Sequence, residues 1–254
     1  MEPVRTRRSG MVSAAAKLHR SRERRATNHT LLEGPKLLAE ALSAGITPTR
    51  VFYLENEPLQ IDVAVPLFPV DSDALKRLSG TKAPQSPVAE IPIPGARSPV
   101  TDTILILWGV ADPGNAGALV RVAAAFGIDV MVGPGSADVW SPKALRAGAG
   151  GQFRVGMAGV GSLPEIADLG YGIIATVVSG GSSPESIPWG RWALVMGEEA
   201  SGLDAAALDA ADIEVSIPMA DGAESLNVVA AAAILTYVLT RHRDNTPGGS
   251  PEAV

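Results

Sequence analysis

The chain has 254 residues and a formal net charge of -6, with 46% hydrophobic and 19% charged residues and no cysteine. This suffices for a folded core of one large or two small domains, and it excludes a disulfide framework, a thiolate nucleophile and a Cys-ligated zinc site. The only histidines, His19, His29 and His242, stand near the chain ends, which argues against a His-based triad or a multi-His metal centre.

The charge is unevenly spread. Residues 1–25 hold eight basic side chains (Arg5, Arg7, Arg8, Lys17, Arg20, Arg22, Arg24, Arg25) against Glu2 and Glu23, a local charge of +6 that leaves -12 for the rest. Residues 1–26 therefore read as a basic arm on an acidic body, either a nucleic-acid contact or a solvated, poorly ordered terminus. The apolar stretch Met11–Ala16 is too short for a signal-peptide core, and an Arg-rich transit peptide is the lesser alternative. No apolar run reaches the roughly 20 residues that span a bilayer, so a soluble protein is expected, and the lack of cysteine is compatible with the cytoplasmic location expected for it.

From 27 to 94 the pattern predicts a small α/β domain. Leu31, Leu32, Leu37, Leu38 and Leu42 recur near helical spacing, with Gly45 as a stop. Arg50–Leu54 and Val63–Val70 are β-prone, and Asp71–Ser79 reads as a helix. Ser86–Ser98 holds a strand that breaks into a Pro/Gly linker, with the boundary at 95–102.

From 103 to 243 strands and helices alternate. Strands are predicted at Thr103–Trp108, Asp129–Val132, Gly172–Val178, Arg191–Met196 and Glu214–Ile217. Helices are predicted at Gly117–Phe126, Leu163–Leu169, Ser201–Ala211 and Leu226–Arg243, with a Gly/Pro-rich loop after Val132. Such alternation implies a mostly parallel α/β sheet. Residues 244–254 read as a disordered tail.

Three loops follow strands, where open α/β sheets bind ligands. In Gly109–Arg121, Asn115 suits a position near a helix N-cap. Arg121 stands among Leu119, Val120, Val122 and Ala123, so it lies on the polar face of the helix or points into a cleft to hold phosphate or developing negative charge. In Met196–Leu203, Gly197 and Gly202 bracket two glutamates, which suits a solvated turn or a close approach to a ligand. In Ile217–Asn227, Ser225 and Asn227 suit helix capping as well as a site. No G-x-G-x-x-G and no P-loop occurs, which argues against an ordinary dinucleotide or ATP site.

Taken together and in order, these segments resemble the SpoU/TrmH branch of the SPOUT class of RNA 2′-O-ribose methyltransferases. Asn115-Ala116-Gly117-Ala118-Leu119-Val120-Arg121 matches the first family motif, N-x-G-x-x-x-R. Gly197-Glu198-Glu199-Ala200-Ser201-Gly202-Leu203 resembles the second, G-N-E-x-x-G-L. Ile217-Pro218-Met219 with Glu224-Ser225-Leu226-Asn227-Val228 resembles the third. The likeness runs through 103–243. More loosely, residues 31–94 resemble the family's N-terminal substrate-binding domain through Leu32-Glu33-Gly34-Pro35 and Thr81-Lys82-Ala83-Pro84-Gln85.

The resemblance implies an α/β fold with a C-terminal trefoil knot, preceded by a small α/β substrate-binding domain. It implies S-adenosylmethionine as cofactor, framed by Gly197, Ile217, Met219 and Leu226, and a homodimer with its cleft across the interface. Arg121 matches the catalytic arginine, while Asn115, Glu199, Ser225 and Asn227 complete the catalytic set, with no metal. The implied substrate is structured RNA, 23S-type rRNA first and tRNA second. A non-catalytic RNA-binding protein and a small-molecule nucleotide-dependent enzyme are the rivals. The departures are Glu198 for the usual Asn, Ala200 for a common Gly, Val229 where many relatives have Ser, and Arg146-Ala147-Gly148-Ala149-Gly150 for R-A-S-M-G.

Overall fold

The computed structural model describes residues 4–57, 59, 61, 64–198, 202–220 and 224–241, which form two compact units. The first comprises the chain up to Gly95 together with Asp138–Arg154. The second comprises Ala96–Ala137 and the chain from Val155 onward. The expected tail, 244–254, lies outside the described residues.

In the first unit the order is α1 (Gly10–Ala16), α2 (Ser21–Thr27), β1 (His29–Glu33), α3 (Pro35–Ser43), β2 (Arg50–Leu54), β3 (Leu67–Val70), α4 (Ser72–Ser79) and β4 (Val88–Pro92). The sheet order is β1-β4-β2-β3, with β4 antiparallel to both neighbours and β2 parallel to β3. Successive strand residues point to opposite faces, and here both faces are apolar. Leu31, Phe52, Val70 and Val88 pack with Val12, Ala15, Leu18, Leu75 and Leu78. Their neighbours Leu32, Val51, Ala89 and Ile91 pack with Leu37, Leu38, Leu145 and Phe153. Each face therefore needs a helical cover, supplied by α1 and α4 on one side and by α3 and residues 142–153 on the other.

This two-faced burial corrects two expectations. Leu31 and Leu32 belong to strand β1 rather than to a helix, because adjacent leucines serve opposite faces. The basic N-terminal segment is folded rather than loose: Val12, Ala15 and Leu18 are buried, and a fully buried Val or Leu contributes roughly 1.5–3 kcal/mol. Arg24 is only 3% exposed. Its Nε and Nη2 donate to Asp138 at 2.8 and 2.6 Å, and its Nη1 donates to the Leu18 carbonyl at 2.7 Å.

In the second unit the order is β5 (Thr103–Leu107), α5 (Pro113–Ala125), β6 (Asp129–Val132), β7 (Met157–Gly159), α7 (Leu163–Asp168), β8 (Gly172–Thr176), β9 (Trp192–Met196), α8 (Ala205–Asp209), β10 (Ile213–Val215) and α9 (Val228–Arg241). Helix α6 (Pro142–Gly148), between β6 and β7 in the chain, packs in the first unit against β1. The sheet β10-β8-β9-β5-β6-β7 is parallel throughout. Ile104 and Ile106 pack with Leu163, Ile166 and Ala207 on one face, while α5 packs on β5 and β6, and α9 on β9. Instead of a featureless loop, the chain after Val132 forms α6, a 3-10 turn at Gly151–Phe153, and β7. Helix α5 starts at Pro113, four residues before the predicted Gly117, because Asp112 caps it and Pro suits the first turn.

Candidate functional site

Because every strand of the second sheet runs the same way, the loops after β5, β8, β9 and β10 emerge at one edge. A cleft of about 480 Å³ opens there, within the 300–1,000 Å³ typical of small-molecule sites. Its walls are Thr176–Val178 after β8, Met196–Glu198 after β9, Val215 and Ile217 after β10, and Glu224–Val228 entering α9. Val178 and Leu226 are 56% and 40% exposed, apolar groups left open to the cleft.

Gly197, Ile217, Met219 and Leu226 all line this cleft, together with Ser225 and Asn227. Gly197 has no room for a side chain: a β-carbon there would stand 2.6 Å from the Gly202 carbonyl carbon and 2.8 Å from the Leu203 nitrogen. The same turn is closed by Glu198 N–H donating to the Gly202 carbonyl at 3.1 Å and Gly202 N–H donating to the Glu198 carbonyl at 2.9 Å. Glu199, which falls between them, lies outside the described residues. Asn227 caps α9, its Oδ1 accepting from Val229 N–H at 2.9 Å. That leaves its amide nitrogen, with two donors, for the cleft it lines.

The first loop sits behind the second. Trp108 N–H donates to the Met196 carbonyl at 2.9 Å, and a β-carbon at Gly109 would lie 3.8 Å from Cβ of Glu198. Asp112, not Asn115, is the N-cap of α5: its carboxylate accepts from Asn115 N–H at 3.0 Å, so Asn115 is the capped residue. Arg121 is exposed on α5 and is not part of the cleft lining, and its guanidinium has no ion pair among the described residues. A single chain thus brings together the third-loop polar residues and the four apolar or glycine positions, but not Arg121.

Sequence reasoning missed Val177, Val178, Glu198 and Glu224 as lining residues. For the β8 loop there was a signal. Gly180-Gly181 stands in the loop that follows the parallel strand β8, and a β-carbon at Gly181 would meet Ser216 N at 2.7 Å.

Residues 102–237 match the model of the SpoU rRNA Methylase family, and residues 11–89 match the MRM3-like substrate binding domain. The chain is 33% identical over 247 residues to the 23S rRNA (guanosine(2553)-2'-O)-methyltransferase RlmP of Bacillus subtilis, covering 94% of this chain and 99% of that protein. Among solved structures, an RNA 2'-O ribose methyltransferase superposes with a TM-score of 0.82 at 29% identity, over 94% of this chain and 98% of that one. The SpoU methyltransferase AviRb of Streptomyces viridochromogenes, in complex with AdoMet, superposes with a TM-score of 0.84 at 25% identity, over 94% and 99% of the two chains.

Proposed function

This chain belongs to the SpoU rRNA methylase family, and we propose that it transfers a methyl group from S-adenosylmethionine to a ribose 2′-hydroxyl of structured RNA. The observation that carries this reading is the cleft at the strand ends, where Gly197, Ile217, Met219 and Leu226 meet Ser225 and Asn227. The lining fits that cofactor. Val177, Val178, Ile217 and Leu226 offer apolar surface to an adenosyl group, and the charged side chains in the described lining, Glu198 and Glu224, carry the sign compatible with a sulfonium. When bound, S-adenosylmethionine supplies an activated methyl group, so the protein need only align the hydroxyl and ease the loss of one proton.

Arg121 is the residue we assign to that second task. Its guanidinium stays protonated at any ordinary pH, so it stabilises the forming alkoxide or engages the adjacent phosphate rather than acting as a base. Asn115 orients Arg121 or the ribose, and Glu199 fixes Arg121 or the methyl donor. The free donors of Asn227 and the hydroxyl of Ser225 hold the substrate across the cleft. Because Arg121 is exposed and outside the lining, a second copy of the chain completes the site in this reading. The surface for it is the face of α9 where Ile234 and Tyr237 are 41% and 54% exposed, with Tyr237 beside Phe126 at 6.4 Å between ring centres.

A trefoil knot is part of the same proposal. In its support, the loop after β8 runs hard against β10: Ser182 N–H donates to the Glu214 carbonyl at 2.8 Å, and Ser216 N–H to the Ser182 carbonyl at 3.1 Å.

The favoured RNA is 23S-type rRNA, as in the name of the Bacillus relative, with tRNA the alternative; a cytoplasmic location belongs to this reading. In the first unit, Arg7, Arg8, Arg20, Arg22 and Arg25 are exposed and available to phosphates, whose binding would weaken with salt. The test is methyl transfer from labelled S-adenosylmethionine to ribosomal RNA and to tRNA, with mapping of the ribose modified. Label in rRNA is the expected result. RNA binding without transfer to either pool would refute the enzyme reading in favour of a binding protein.

A further inference from the structure

The Gly/Pro-rich segment after Val132 does more than lead from β6 toward α6. From Gly133 to Ala137, all within the second unit, it grips the exit of β5. Gly133 N–H donates to the Leu107 carbonyl at 2.8 Å, Gly109 N–H to the Pro134 carbonyl at 3.0 Å, and Ala137 N–H to the Val110 carbonyl at 2.8 Å. Two glycines allow this closeness. A β-carbon at Gly133 would collide with the Trp108 ring, and one at Gly135 would stand 3.2 Å from Cα of Gly109. Ser136 adds a side chain to the grip. Its hydroxyl donates to the Leu107 carbonyl at 2.9 Å and accepts from Val110 N–H at 3.2 Å, so one oxygen spans both ends of the turn out of β5.

Two residues beyond Val110, Asp112 caps α5, the helix that carries Asn115 and Arg121. Neither 107–112 nor 133–137 contributes to the described lining of the cleft, so the hydroxyl is tied to the start of α5 and not to the cofactor walls. Resting on the reading that Arg121 eases the loss of the proton, we infer that Ser136 is a positioning residue for methyl transfer. Its hydroxyl fixes the path from β5 into α5 and, through that helix, the place of Arg121. Val110 is fully buried, and without the hydroxyl its N–H loses the acceptor it has. A buried donor left unpaired is costly, so the turn must shift to find another partner, and α5 shifts with it.

Transfer of labelled methyl groups to ribosomal RNA, measured beside calorimetric binding of S-adenosylmethionine, tests this on the whole protein. Ser136→Ala should lower kcat about ten-fold, the scale of a small misplacement, and leave the Kd of S-adenosylmethionine within about two-fold. Ser136→Thr, which keeps the hydroxyl, should recover most of the rate. Gly135→Ala, which keeps Ser136 but presses on Gly109, should reproduce the loss of kcat. The decisive measurement is non-additivity. In an Arg121→Ala background, Ser136→Ala should slow transfer by less than about two-fold, since the group it places is already gone. A loss in that background as large as in the unchanged protein, a rate indifferent to Ser136→Ala, or a Kd that weakens as much as kcat falls would overturn the proposal. Normal transfer by Arg121→Ala alone would instead overturn the reading of Arg121 on which it rests.

Discussion

Two arginines on two helices show how differently the two units use charge. Arg24 of α2 is 3% exposed, and each nitrogen of its guanidinium donates, Nε and Nη2 to Asp138 and Nη1 to the Leu18 carbonyl. Arg121 of α5 is exposed and has no ion pair among the described residues. The pattern extends beyond them. In the first unit Glu33 is 8% exposed and accepts from Ser79, Thr81, the Gln85 N–H and Arg146, and Arg50 pairs with Glu90 at 2.7 Å. In the second unit the central strands β5 and β9 carry no charged residue, and Glu198 and Glu224 stand at the carboxyl edge of the sheet beside the cleft. Buried pairs specify packing, because each charge is tolerated only against its partner.

Changing these two arginines should break the comparison in opposite ways. Arg121→Ala should lower kcat by about 10²–10³-fold, the scale for losing one group that stabilises developing charge. Its unfolding midpoint and its Kd for S-adenosylmethionine should stay near those of the unchanged protein, since the side chain is exposed and outside the cleft. Near-normal rates would remove Arg121 from the mechanism. Arg24→Ala should do the reverse. It strips Asp138 of its partner and opens a buried site, at a cost of about 3 kcal/mol, visible in urea unfolding of the first unit. Calorimetric binding of S-adenosylmethionine should be little changed at temperatures where the protein stays folded.

The same contrast explains what could be read in the sequence. The second unit was legible because a parallel sheet buried on both faces writes continuous apolar runs such as Thr103–Leu107, and because ligand loops follow such runs. The expected cofactor positions are therefore neighbours in space. The first unit was read less well. Val12, Ala15 and Leu18 are spaced for a helix, yet the surrounding arginines make the segment look like a solvated arm. Helix α6 is short, and what it covers, the Leu32 face of β1, lies more than a hundred residues earlier in the chain. Nothing local could have revealed that Arg24 and Asp138 are partners. For Arg121 spacing left two places open, the polar face of α5 or a cleft, and the structure shows it exposed and outside the lining.

Gly197→Ala should sharpen the picture of the edge itself. The added methyl would meet the Gly202 carbonyl carbon at 2.6 Å, and the nearest atoms all belong to the Gly202–Leu203 backbone rather than to a flexible side chain. Overpacking of this kind costs about 1–3 kcal/mol, and here it falls on the turn that presents Glu198. Binding of S-adenosylmethionine should weaken by roughly ten-fold or more, on the conversion of about 1.4 kcal/mol per decade. An unchanged Kd would show that this turn does not hold the cofactor.

The smallest effect is the most discriminating, because it compares like with like. Asp71 and Asp112 are both N-caps, accepting from Ala74 N–H at 2.7 Å in α4 and from Asn115 N–H at 3.0 Å in α5. Replacing either with alanine should cost about 1 kcal/mol of stability. Their consequences for turnover should differ. Asp71 begins a helix whose buried face, Leu75 and Leu78, serves only the core of the first unit. Asp112 begins the helix that carries both Asn115 and Arg121, so a frayed first turn there moves Asn115 directly. Asp71→Ala should therefore leave kcat within about two-fold, and Asp112→Ala should lower it by about ten-fold, since a small misplacement of a positioning group costs far more in rate than in stability. If the two variants slow transfer equally at equal stability, then the first loop does not position the catalytic groups, and the division of labour between the units is wrong at its most specific point.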